Sequence, residues 1–74
     1  MKVAVDVYTK DVDAATEVFK EAIRLGVADV RINTILDYAT DEFKYINIMM
    51  EVDHSCRVLD MLDDGPFVKD CDDL

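Results

Sequence analysis

Asp29-Val30-Arg31-Ile32-Asn33-Thr34-Ile35-Leu36-Asp37-Tyr38, followed after four polar-leaning residues by Phe43-Lys44-Tyr45-Ile46-Asn47-Ile48-Met49-Met50-Glu51-Val52, is the stretch that decides the fold. Side chains on a strand alternate between its two faces, so a period of two separates Val30, Ile32, Thr34, Leu36 and Tyr38 from Arg31, Asn33, Ile35 and Asp37. In the second half Ile46, Ile48, Met50 and Val52 oppose Phe43, Tyr45, Asn47 and Met49. Ala39 to Glu42 are too few to do more than connect two antiparallel neighbours, so the pair reads as a β-hairpin.

Working outward toward the N-terminus, Val3, Val5 and Val7 alternate with Ala4, Asp6 and Tyr8 and predict another half-buried strand. Asp11 is placed to cap a helix from Asp11 to Leu25, whose core face is expected to carry Val12, Ala15, Val18, Phe19, Ala22 and Ile23. Gly26 supplies the left-handed stop. Toward the C-terminus, Asp53 or Ser55 is expected to cap a second helix from His54 to Asp64 that buries Val58, Leu59 and Leu62. It ends at Gly65, because Pro66 cannot continue it. Phe67 to Cys71 can form a last strand, whereas Asp70, Asp72 and Asp73 suit a frayed tail over residues 70–74.

The order β-α-β-β-α-β is that of a ferredoxin-like two-layer α+β sandwich, an antiparallel sheet with both helices on one face. Residues 1–74 read as one domain, and a hydrophobic share of 51% with 34% charged residues is a globular composition. With the first and third strands central, the sheet face turned away from the helices would display Asp6, Tyr8, Arg31, Asn33, Ile35, Phe43, Tyr45, Asn47 and Met49. A contiguous apolar and aromatic patch of this kind marks an interface, so Tyr8, Phe43, Tyr45 and Met49 are candidate partner-binding residues, with a second copy of the chain as one possible occupant.

Seventeen Asp and Glu against eight Lys and Arg leave a formal charge of −9. That charge repels phosphate backbones and anionic membrane surfaces, so no direct nucleic-acid or membrane binding is expected. It favours instead a basic protein, or a nucleic-acid-binding complex with a basic groove, against the plain alternative of solubilising acidity. Residues 51–74 hold eight acids and only Arg57 and Lys69 as bases, so the second helix and the tail are expected to meet the basic partner, with Asp60, Asp63 and Asp64 among the candidate partner-binding residues. No run approaches the roughly 18–20 apolar residues of a membrane span, and Met1-Lys2-Val3-Ala4-Val5-Asp6 meets an acid too early for a secretion signal, so a cytoplasmic location is expected. Cys56 and Cys71 are too few for a disulfide framework and are expected reduced.

Chemistry-bearing motifs are sparse. The aromatic residues of the third strand lack the glycine and arginine of RNA-stacking sheets. His54 and Cys56, two apart, point to different sides of a helix and make neither a metal pair nor a nucleophile–base pair. The aspartates lack the alternation and closing Glu of a calcium loop. With only Gly26 and Gly65, no phosphate loop can form. The chain is therefore expected to be non-enzymatic, without cofactor or metal. In size, acidity and α/β character it resembles phage-encoded inhibitors such as anti-CRISPR proteins, a resemblance that implies occupation of a basic nucleic-acid groove. In element order it also resembles ACT-type regulatory domains, which implies binding of an amino acid or dimerisation through the sheet. Thr9-Lys10-Asp11 stand where that family commonly has a glycine-containing first loop.

Overall fold

The computed structural model describes residues 1–74. The elements are β1 (Lys2–Thr9), α1 (Val12–Arg24), β2 (Arg31–Asp37), β3 (Glu42–Asp53), α2 (Arg57–Asp64) and β4 (Val68–Asp73). They form one antiparallel sheet in the order β2-β3-β1-β4, which is the ferredoxin-like arrangement the periodicities predict. The long central β3 carries the sheet's length, and the molecule extends 41 × 23 × 21 Å. Neither helix is long and apolar enough to cross a membrane.

One face of the two central strands makes the core. Val3, Val5 and Val7 of β1 and Ile46, Ile48, Met50 and Val52 of β3 are buried against Ala15, Val18 and Ala22 of α1 and Val58 and Leu62 of α2. Burying each of the larger aliphatic side chains contributes about 1.5–3 kcal/mol. Thr9 is also buried, and its hydroxyl satisfies itself by donating to the Pro66 carbonyl at 2.8 Å and accepting from Asp11 N–H at 3.0 Å.

The α1 termini form as their residues dictate. Asp11 accepts from Ala14 N–H at 3.0 Å, and Gly26 takes φ +77° while Val27 N–H closes back on the Ala22 carbonyl at 3.0 Å. The core stripe of α1 is narrower than expected, however. Val12 and Ile23, both expected inside, are 54% and 57% exposed. The edge strand β2 lies beyond the cover of the helix layer, so Ile32 and Leu36 on its helix-side face remain 43% and 46% exposed as well. Val12, Phe19 and Ile23 share one flank of α1 at helical spacing.

Three further expectations are corrected. α2 starts at Arg57 rather than His54, with Cys56 at its N-cap and no side-chain cap bond, because Asp53 is engaged elsewhere. Its carboxylate accepts from Ser55 N–H at 3.0 Å and Ser55 Oγ–H at 2.8 Å, which closes a local turn and holds the Asp53 carboxyl below its usual range. Residues 70–73 are a strand rather than a frayed tail: β4 pairs with β1 from Tyr8↔Val68 to Val3↔Asp73. Its charged side chains suit a solvent-facing edge, where acids deter further strand addition. Finally, β3 carries a bulge. Ile35 pairs with Tyr45 but Leu36 pairs with Phe43, leaving Lys44 without an opposite residue.

Candidate functional site

The sheet face opposite the helices is open, and the register arranges it in rows. Across β4, β1, β3 and β2 one row reads Asp70, Asp6, Met49, Arg31, and the row beside it reads Asp72, Ala4, Glu51. Asp29, held at φ +57° just before β2, closes the corner. These residues line a shallow groove of about 420 Å³ whose walls carry five carboxylates, Asp6, Asp29, Glu51, Asp70 and Asp72, and a single guanidinium, Arg31. Residues opposed across an antiparallel pair stand roughly 4.5–5.5 Å apart, so Asp6 and Asp70 are like charges at close range. Asn47, buried and central, offsets part of this by donating from its amide to Asp6 Oδ1 at 2.5 Å and to the Val7 carbonyl at 3.0 Å.

The other end of the same face is aromatic and basic. The Tyr8 and Tyr45 rings meet edge to face, with centroids 6.1 Å apart and planes at 75°. The ammonium groups of Lys10 and Lys44 lie 5.8 and 5.5 Å from the Tyr45 ring centroid. Lys44 is the bulged residue, so the break in register is what frees it to reach that ring. The face thus has two chemically distinct ends, divided near the row that joins Tyr8, Asn47 and Asn33.

Of the residues singled out from the sequence, Tyr8, Tyr45 and Met49 do lie together on the open face. Phe43 does not join them. A one-residue slip moves every later side chain to the other side of a strand, and the bulge sets Phe43 opposite Leu36, a helix-side residue. Asp60, Asp63 and Asp64 belong to α2, in the layer on the far side of the sheet. Asp63 is already engaged by the Lys69 ammonium, whose pKa is raised chiefly by that hydrogen bond. Of the acids that gather in the groove, Glu51, Asp70 and Asp72 belong to the acidic segment after Met50 that the sequence offers to a basic partner, whereas Asp29 was not singled out. The alternation of Asp70 and Asp72 carries the signal, because residues two apart share a strand face once β4 is known to be a strand.

No group of three or more His, Cys, Asp or Glu side chains is arranged to hold a metal ion. Cys56 is partly buried, Cys71 is exposed, and both are free thiols. No known protein family matches this chain, and no curated protein matches it.

Proposed function

We propose that this chain is a non-enzymatic, acidic protein-binding module whose open sheet face receives a basic segment of a partner, as an inhibitor that stands in for nucleic-acid phosphate would. The observation that carries this reading is the groove with five carboxylates and one guanidinium, two of the carboxylates directly opposed on neighbouring strands. Opposed like charges destabilise a free sheet, and a cation placed between them removes that cost. Asp70 and Asp72 stand two residues apart on one strand, roughly 6.8 Å by the strand rise. An extended segment with Lys or Arg at every second position has the same spacing. Met49 and Ala4 give the aliphatic stems of such side chains an apolar floor.

The test is a titration with an extended peptide carrying Lys and Arg at alternate positions, read by fluorescence anisotropy at low salt. The wild-type chain is expected to bind. Replacing Asp6, Asp70 and Asp72 together by Asn should weaken binding at least about tenfold, as loss of charge-assisted contacts does. Replacing Asp60, Asp63 and Asp64 by Asn removes the same number of charges from α2 and should weaken it far less. Equal losses would show that overall charge rather than the groove governs binding, and no binding by the wild type would sink the proposal.

A further inference from the structure

Strand β2 is paired on one side only, with β3, and so presents a row of backbone donors and acceptors along its outer edge. The sheet's two edges are protected very differently. β4 bears Asp70, Asp72 and Asp73, whereas β2 has no charge between its terminal residues, Arg31 and Asp37. Its interior, Ile32-Asn33-Thr34-Ile35-Leu36, is β-branched at Ile32, Thr34 and Ile35 and apolar at Ile32, Ile35 and Leu36, and Ile32 and Leu36 are exposed. An edge of this kind is a template for another strand.

We infer that β2 is the seam of a homodimer in which it pairs antiparallel with β2 of a second copy about a two-fold axis at Thr34. The sequence of the strand is self-complementary about that point. Arg31 falls opposite Asp37 of the second copy, Ile32 opposite Leu36, and Asn33 opposite Ile35, each residue meeting one on the same face. The two-fold repeats every pair, so each seam carries two Arg–Asp pairs at its ends and two Ile–Leu pairs inside. The strand's own charges cancel, so the seam is the part of a −9 chain least opposed to meeting a copy of itself. The result is a continuous eight-stranded sheet with both helix layers on one side, which brings the exposed Ile32 and Leu36 of the two copies to the same seam. An acidic partner edge is disfavoured by Asp37 and a basic one by Arg31, while a second copy satisfies both ends at once.

Sedimentation velocity of the full chain across roughly 1 to 100 μM should show a monomer–dimer equilibrium. Arg31→Asp and Asp37→Arg should each, alone, weaken self-association at least about tenfold, since each puts like charges at both ends of the seam. An equimolar mixture of the two variants should dimerise again, because every end pair in the mixed dimer is then opposite in charge. Asp37 also accepts from Ala39 N–H at 2.9 Å in the turn. Ile32→Lys therefore serves as a variant outside the turn, and it should also be monomeric, with circular dichroism unchanged. A wild type that stays monomeric over the whole range, single variants that dimerise as the wild type does, or folded variants that fail to rescue one another would each overturn the inference.

Discussion

A Cβ added at Gly65 would stand 2.3 Å from Cε2 and 2.7 Å from Cδ2 of Phe67, closer than atoms can approach. Gly65 has φ −109° and ψ 179°, an extended conformation open to any residue, so it is the neighbouring ring and not the backbone that demands glycine. Phe67 packs partly buried against the core beneath the end of α2, so moving its ring means repacking apolar contacts. Gly65→Ala should therefore cost about 1–3 kcal/mol, the usual range for overpacking, in urea unfolding. In a Phe67→Ala background the same change should cost much less, and equal costs in both backgrounds would refute the ring clash. Gly26 is the opposite case, with φ +77° and no atom within 4 Å of an added Cβ. Its role at the end of α1 was legible from helical spacing. That of Gly65 was legible only as a helix end, since its cause lies in a ring two residues on.

Strands β1, β2 and β3 were legible because apolar alternation is a property of the strand itself. The bulge was not, since Phe43-Lys44-Tyr45 continues the alternation without a break and only the partner strand reveals the slip. β4 was legible only in part, as a last strand over Phe67 to Cys71 followed by a frayed tail. Its residues are all exposed, so it has no apolar period to read, and it exists through its backbone ladder to β1. That ladder sets Asp70 against Asp6, like charges on neighbouring strands. Asp70→Asn should raise the stability of the free chain by about 0.2–1 kcal/mol, the range for cross-strand charge pairs, while weakening capture of a basic peptide. A variant that lost stability would show the two carboxylates to be screened or otherwise satisfied, and the groove would lose its main electrostatic support.

At the scale of the whole molecule, the charge was legible and its placement was not. The excess of acid after Met50 points from sequence alone to the second helix and the tail as one surface, yet β4 divides it, sending Asp70 and Asp72 to the open face and leaving Asp60, Asp63 and Asp64 with the helices. Against seventeen acidic residues, the side-chain ion pairs are Glu17–Lys20, Glu21–Arg24 and Asp63–Lys69, all at the surface. Such pairs contribute about 0–1 kcal/mol each and are themselves screened by salt. Two opposite responses to salt are thus in competition: loss of these attractions lowers stability, and relief of repulsion among the unpaired carboxylates raises it. With a net charge of −9 on a chain only 41 Å in its longest dimension, repulsion acts across much of the molecule when the screening length is about 30 Å, at 0.01 M salt, and much less when it is about 10 Å, at 0.1 M. The urea midpoint at neutral pH and fixed protein concentration should therefore rise with sodium chloride over that interval. The rise should be smaller in the variant with Asp6, Asp70 and Asp72 replaced by Asn, because the most closely opposed charges are then gone. A midpoint that falls with salt would mean that the three surface pairs outweigh the repulsion, and the acidic face would then be too weakly charged to act as a binding surface through its field.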